Sequence, residues 1–128
     1  MKNWIWRWGP AILVMALIFL ASATAGSDLP KFGIWDLVTK KGGHMFGYAL
    51  LAIAYFHGLN AGKTMTRTHF IAALVLSMFY AMSDEWHQRF TPGRTPSVQD
   101  VVIDTIGAGI GLAIWYWARV RFPKQQKT

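Results

Sequence analysis

Apolar side chains fall into four long runs along the chain, and short polar segments separate these runs. A helix needs about 20 mostly apolar residues to cross the hydrocarbon core of a bilayer, and each run approaches that length. The pattern therefore predicts an all-α integral membrane protein with about four transmembrane helices in a compact bundle. The predicted spans are 4–25, 42–59, 68–86 and 101–118, within a single domain of residues 1–128.

The segment 27–41, SDLPKFGIWDLVTKK, is too polar to cross a membrane, yet its apolar residues recur near helical spacing. These residues are Leu29, Phe32, Trp35 and Val38. An amphipathic helix of this kind lies in the membrane interface. We therefore expect a short interfacial helix between the first two spans, and a structured outer-face loop between the last two.

The first run has a second interpretation, as a signal peptide that is removed. Ala23 and Ala25 have the A-x-A spacing that signal peptidase accepts. On the other hand, Trp4, Trp6 and Trp8 suit an interfacial aromatic belt at the start of a permanent span. Both interpretations stay open at this point.

Composition agrees with a membrane protein, because 53% of the residues are hydrophobic and only 15% are charged. The chain contains no cysteine, which excludes a disulfide framework, a thiolate zinc site and a cysteine nucleophile. No sequence motif for a cofactor is present, and none is expected.

The charges are divided between the two ends of the predicted bundle. Eight of the thirteen Lys and Arg residues lie in the N-terminal segment, the 60–67 connection and the C-terminal tail, whereas all six acidic residues lie in the other half. Basic loops are retained on the cytoplasmic side of a membrane. Both termini are therefore predicted to be cytoplasmic and the acidic half to face outward. Topology explains the net charge of +7, and no nucleic-acid partner is expected.

Polar side chains are concentrated in residues 83–100, SDEWHQRFTPGRTPSVQD. If the third helix continues for one more turn, Asp84, His87 and Gln88 share a face through i,i+3 and i,i+4 spacing. Pro92 and Gly93 then predict a turn, and Ser97 is suited to cap the fourth helix.

The second span presents a matching polar face at the same end, because its polar residues follow i, i+3 and i+7 spacing. The two groups are expected to form one pocket. Its candidate residues for contact with a substrate or lipid are Lys41, His44, Tyr48, Asp84, Glu85, His87, Gln88, Arg94, Ser97, Asp100 and Asp104. Asp104 lies inside a predicted span, so it requires a partner or a proton.

The chemistry of this pocket is not decided by spacing. Glu85, His87, Asp84 and His44 are candidates for a catalytic role, since a histidine beside carboxylates can be a general base, a proton relay or a metal ligand. No metal site is predicted, because the H-E-x-x-H spacing and its relatives are absent. The serine contexts also lack G-x-S-x-G, and the ionisable groups can alternatively form internal pairs that only brace the fold.

Small residues are spaced for helix packing in two of the spans. Gly43 and Gly47 form one G-x-x-x-G pair, and Gly107 and Gly111 form another. Such pairs let helix backbones approach closely in lipid, so both are predicted to be packing contacts.

Residues 80–111, YAMSDEWHQRFTPGRTPSVQDVVIDTIGAGIG, closely resemble the signature of the VanZ-like family, which consists of small polytopic bacterial membrane proteins. KGGHMFGY, residues 41–48, is similar to a second element of that family. Lys40 and Asp104 depart from the family pattern, in which an acid and an Asn are frequent. The residues of the longer element that match the pattern are Asp84, Glu85, His87, Gln88, Phe90, Pro92, Gly93, Arg94, Ser97, Asp100, Gly107 and Gly111.

The resemblance implies a multi-pass protein of the bacterial cytoplasmic membrane, related to a protein associated with resistance to the glycopeptide teicoplanin. The function expected first is binding of a membrane lipid or lipid-linked cell-envelope molecule in an outward-facing pocket, with Lys41 and Arg94 as anion contacts. One alternative is an intramembrane hydrolase or transferase that acts on a lipid-linked envelope substrate. Another is a purely structural or partner-binding helix bundle.

Overall fold

The chain folds into four α-helices. The computed structural model describes residues 2–23, 34–93 and 97–124. The helices are α1 (Lys2–Ala23), α2 (Ile34–Asn60), α3 (Arg67–Gln88) and α4 (Val98–Arg121), and no strand occurs within the described ranges. The prediction of an all-α chain is confirmed for this part of the protein.

Polar caps begin α3 and α4. The Thr66 side chain accepts a hydrogen bond from the backbone N–H of His69, and the Ser97 side chain accepts one from Asp100. Both capping residues have extended backbone conformations, which is the usual geometry at a helix N-cap. The predicted capping role of Ser97 is confirmed.

The start of α2 differs from the prediction. Residues 34–41 do not form a separate interfacial helix, because α2 runs without a break from Ile34 to Asn60. Gly42 and Gly43 suggest an interruption, but a glycine costs a helix only about 1 kcal/mol relative to alanine, which packing elsewhere along α2 can offset. Residues 27–33 of the expected interfacial helix lie outside the described part of the chain.

Among the described residues, α2 packs most extensively against α4 and also contacts α1 and α3. The α2 and α4 helices run in the same direction, since Gly107 lies over Met45 and Gly111 over Ala49. A Cβ atom added to Gly107 would lie 2.7 Å from Met45 Cα, and one added to Gly111 would lie 2.6 Å from Ala49 Cβ. The two backbones therefore approach closely where the spacing of the α4 glycines predicts it.

The other glycine pair does not make the predicted close approach. A Cβ atom on Gly43 would have no described atom within 4 Å, and one on Gly47 would make an ordinary 3.5 Å contact with the Ile18 side chain. In α2 it is Met45 and Ala49, one turn apart, that face α4. The G-x-x-x-G spacing thus predicted a close helix contact correctly in α4 and wrongly in α2. A close approach needs small residues on only one of the two helices, so α2 can meet α4 through Met45 and Ala49.

The described core lies mainly along α2, and its two largest fully buried side chains are aromatic. Tyr48, Leu51 and Phe56 are fully or almost fully buried. The Phe56 ring lies 4.2 Å from Phe70 of α3 and 4.7 Å from Trp115 of α4, measured between ring centroids. These rings fix how α3 and α4 lie against α2 at the end opposite the polar cluster.

The outer surface of the bundle is rich in large apolar side chains. Examples on all four helices are Leu13, Leu17, Phe46, Leu50, Ile71, Phe79, Ile106 and Ile114. Two helices, over Asn3–Ala23 and Val98–Arg121, are long and apolar enough to cross a membrane.

The two ends of the bundle differ in chemistry. At one end the start of α1 meets the end of α2, where the Arg7 side chain donates to the Gly58 carbonyl and a His57 ring nitrogen lies 3.1 Å from the Trp6 carbonyl. At the other end the starts of α2 and α4 meet the ends of α1 and α3. The acidic residues that the structure describes with their side chains lie at this second end.

Candidate functional site

Asp84, near the end of α3, is the centre of a buried hydrogen-bond network. Its Oδ2 atom accepts hydrogen bonds from Ser22 Oγ at 2.9 Å, from Tyr48 OH at 3.3 Å and from Gln88 Nε2 at 3.5 Å. Ser22 belongs to α1 and Tyr48 to α2, so this one carboxylate oxygen joins three helices. The other oxygen, Oδ1, is buried and has no hydrogen-bond partner in the described structure.

Asp104 of α4 is the most deeply buried acid described, with 1% of its surface exposed. Neither of its oxygens accepts a hydrogen bond from a described group. Its nearest described ionic neighbour is His44 of α2, whose Nδ1 atom lies 3.5 Å from Asp104 Oδ1. A buried carboxylate requires compensation by hydrogen bonds or positive charge, so His44 matters to the stability of this end of the bundle.

A surface ion pair lies above His44 and Asp104. The Lys41 ammonium group is 2.6 Å from Asp100 Oδ1, and both side chains are partly exposed. This pair joins the first turns of α2 and α4. Asp100 thus has Lys41 as a described partner.

A cavity of about 130 Å³ connects the ion pair with the buried Asp104. We call it the polar cavity, and its lining residues are Lys40, Lys41, His44, Gln88, Asp100, Ile103 and Asp104. It holds positive and negative groups side by side, so it is suited to a small polar group that carries charge.

Glu85 has a structural contact that spacing did not reveal. Its Oε2 atom accepts a 2.9 Å hydrogen bond from the backbone N–H of Ser97, the residue that caps α4. Glu85 thereby fixes the end of α3 to the beginning of α4. Its Oε1 atom is buried without a described hydrogen-bond partner.

His87 points in another direction from the one expected. Its ring packs against Phe19 of α1, with 4.3 Å between the ring centroids, and its buried Nδ1 atom has no described hydrogen-bond partner. Asp84 and Gln88 do interact, as their i,i+4 spacing predicts. His87 is three residues after Asp84 but does not join the hydrogen-bond network of Asp84. The reason is that α1 packs on the side of α3 that carries His87.

The loop between α3 and α4 is only partly described. Gly93 has a φ of 74°, a backbone conformation that favours glycine, and it follows Pro92 in the predicted turn. Arg94, an expected anion contact, lies in the segment 94–96, outside the described residues.

Ser22 is the site residue that sequence reasoning missed. It is completely buried and donates to Asp84. A small polar residue at the end of an apolar run could have indicated a buried contact for Ser22. The neighbouring alanines instead suggested a signal-peptide cleavage site. The predicted topology already ran α1 and α3 in the same direction, but the register that places Ser22 at the depth of Asp84 depends on how the two helices pack.

Two buried hydroxyl groups beside the site are held by Asp84. The side chains of Ser22 and Tyr48 both donate hydrogen bonds to its Oδ2 atom. His44, Asp84 and Asp104 each direct a potential ligand atom to one place, with these atoms within 4.8 Å of one another.

The family to which the chain belongs is evident from its sequence as a whole. The model of the VanZ/LLP1 family matches residues 8–119, which include the described site residues from Ser22 to Asp104. No curated protein and no solved structure matches the chain significantly. Because the family match covers most of the length, from α1 to the end of α4, the chain belongs to the VanZ/LLP1 family.

Proposed function

We propose that this chain is a four-span integral membrane protein that binds the headgroup of a lipid or lipid-linked envelope molecule in the polar cavity. The observation that carries the proposal is the mixed-charge lining of the cavity, with Lys41, Asp100 and Asp104 around a space of about 130 Å³. A headgroup with a phosphate and a hydroxyl or amino group would find complementary charges there.

Four crossings are supported by the length and surface of α2 and α3. With 27 and 22 residues these helices measure about 40 and 33 Å, and the hydrocarbon core is about 30 Å thick. Their exposed faces carry large apolar side chains such as Phe46 and Phe79, whereas Tyr48 and Asp84 face inward. This distribution is typical of helices that cross lipid with their polar groups turned to the bundle interior.

The orientation of the site follows from the distribution of basic residues. Arg7, Lys63 and Arg119 belong to the end of the bundle remote from Asp84, where acidic residues are absent among those described. By the positive-inside rule this basic end is cytoplasmic. The polar cavity then lies near the outer leaflet of the bacterial cytoplasmic membrane, where a link to lipoglycopeptide resistance would arise from binding an envelope molecule.

Of the two proposed anion contacts, Lys41 is the one that lies within the described residues. It borders the cavity and is partly exposed, and Asp100 holds its ammonium group in place. An incoming phosphate would replace or share the Asp100 carboxylate as its counterion. Arg94 is the second proposed anion contact, from its position in the polar stretch.

Native mass spectrometry with phosphatidylglycerol tests the proposal. Lys41→Gln should weaken retention of this lipid about tenfold, because it removes a charge-assisted contact and leaves Asp100 to repel the phosphate. Asp100→Asn should retain at least as much lipid as the unaltered protein, since it frees Lys41 for the phosphate. Opposite responses of two variants at one ion pair separate ligand binding from general loss of the fold.

Lys63→Gln is the matched control, because Lys63 is exposed in the connection at the opposite end of the bundle. It should leave lipid retention unchanged. If Lys41→Gln and Lys63→Gln retain the same amount of phosphatidylglycerol as the unaltered protein, the polar cavity is not the lipid site.

A further inference from the structure

Two buried aspartates, Asp84 and Asp104, have three carboxylate oxygens without a hydrogen-bond partner among the described residues. The three are both oxygens of Asp104 and Oδ1 of Asp84, and the two side chains are 1% and 4% exposed. Buried carboxylate oxygens are normally satisfied by donors, by cations or by metal ions. Two acids this close repel each other when both are ionised, and a positive charge beside them would stabilise their ionised forms.

His44 completes a set of ligand atoms around this position. One imidazole nitrogen of His44 and one oxygen each of Asp84 and Asp104 lie within 4.8 Å of one another. A divalent ion with tetrahedral ligands at about 2.0–2.2 Å holds its ligand atoms about 3.3–3.6 Å apart, so the three side chains would have to close in by up to about 1.5 Å on binding. The three residues come from α2, α3 and α4 and already point to the same place.

We propose that His44, Asp84 and Asp104 form a binding site for a divalent transition-metal ion, Zn²⁺ or Mn²⁺. Two carboxylates balance the charge of such an ion, and an imidazole nitrogen favours it over Mg²⁺ and Ca²⁺, which prefer oxygen ligands. This inference goes beyond lipid binding and stands without it.

Asp84 is already oriented for this role. Its Oδ2 atom is held by the hydroxyl groups of Ser22 and Tyr48 and by the Gln88 amide, while Oδ1 is buried and has no described hydrogen-bond partner. Hydrogen bonds of this kind to the second oxygen fix the direction of a ligating carboxylate. The network around Asp84 thus satisfies one oxygen of a buried acid and would also hold this acid in place as a ligand.

The polar cavity gives the site an entrance and an open coordination position. His44 and Asp104 line the cavity, which reaches the surface beside Lys41 and Asp100. Three protein ligands leave at least one position of the ion for water or another oxygen donor. A phosphate oxygen is one such donor, so the metal site and the proposed headgroup site are mutually compatible.

Direct metal binding by the full-length protein in detergent tests the inference. The protein is purified through a tag without histidine, stripped with a chelator and titrated with Zn²⁺ in a calorimeter and with Mn²⁺ in an electron paramagnetic resonance spectrometer. We expect one ion per chain. His44→Gln and Asp104→Asn should each weaken binding at least tenfold, whereas His57→Gln, altered at the opposite end of the bundle, should bind as the unaltered protein does.

A second measurement covers the case in which the variants at the site fail to fold. A chain with His57, His69 and His87 replaced by Gln keeps His44 as its one imidazole, and ¹⁵N-labelled histidine then reports on His44 alone. Bound Mn²⁺ should show a hyperfine coupling to this nitrogen. Absence of the coupling, no stoichiometric binding, or equal affinity of the unaltered protein and well-folded His44→Gln overturns the inference. None of these readouts involves lipid, so the proposal of headgroup binding is tested separately.

Discussion

At the scale of single residues, Asp84 shows how a polar group is kept inside an apolar bundle. Three donors from three different helices converge on its Oδ2 atom. Only the Gln88 contact is local in sequence, at i+4. The contacts of Ser22 and Tyr48 with Asp84 depend on how α1 and α2 pack against α3. Helical spacing within one helix therefore cannot predict them.

The Ser22 hydrogen bond should contribute measurably to stability. Ser22→Ala removes one donor from a buried carboxylate oxygen, and we expect a loss of about 1–2 kcal/mol in the free energy of unfolding. Equilibrium unfolding in mixed micelles with increasing SDS measures this change. Ser83→Ala is the matched control, because Ser83 is adjacent to Asp84 but exposed, and it should change stability by less than about 0.5 kcal/mol. An equal effect of both substitutions would contradict the role given to Ser22.

His87 shows that helical spacing can also predict a contact that does not form. Helical spacing relates it to Asp84 in the same way that it relates His44 to Lys41, yet His87 packs against Phe19. The difference arises from α1, which occupies the side of α3 toward His87. A periodic pattern states which residues share a face, but the identity of the neighbouring helix decides what that face touches.

At the scale of elements, the contact between α2 and α4 determines the position of the site. These two helices run in the same direction with their first turns together, which brings Lys41 to Asp100 and His44 to Asp104. The close approach of the backbones at Gly107 and Gly111 holds this register. The sequence predicted the glycine face of α4, whereas its partner face on α2, Met45 and Ala49, carries no small-residue motif of its own.

The register should be sensitive to a single methyl group on α4. Gly111→Ala would place a Cβ atom 2.6 Å from Ala49 Cβ and 2.7 Å from Ala49 Cα, so the helices must separate. We expect a loss of about 1–3 kcal/mol in the free energy of unfolding, as for other overpacked contacts. Unfolding in SDS micelles measures the change.

Gly109→Ala provides the matched comparison on the same helix. Its added Cβ atom would have Leu74 Cδ1 as its nearest neighbour, at 3.9 Å, which is an ordinary contact. This variant should be as stable as the unaltered protein or more stable by up to about 1 kcal/mol, because alanine favours helix more than glycine does. Similar losses in both variants would mean that the α2–α4 interface is not closely packed at Gly111.

At the scale of the whole molecule, charge and burial are arranged along one axis. The described basic residues Arg7, Lys63, Arg67, Arg119 and Arg121 lie at one end, and the buried acids lie toward the other. Apolar side chains cover the outside of the bundle between the two ends. This is the distribution of a small protein that crosses a membrane with a polar site near one face.

The predicted orientation is testable with reporter fusions. A fluorescent protein that matures only in the cytoplasm should be active at the C-terminus, and alkaline phosphatase at the same position should be inactive, because basic segments remain inside. In the 89–93 turn, an inserted phosphatase should be active. An active phosphatase at the C-terminus would reverse the orientation and place the polar cavity at the cytoplasmic face.

The sequence by itself determined the four helices, the cap at Ser97, the glycine face of α4, the separation of charge and the family of the chain. These features depend on local spacing and composition, which the order of residues states directly. Tertiary structure alone decided that Ser22 supports Asp84, that His87 packs against Phe19, and that His44, Asp84 and Asp104 share one buried space. The physical reason is that a cluster drawn from several helices depends on their register and rotation, and these are set by packing between residues far apart in the chain.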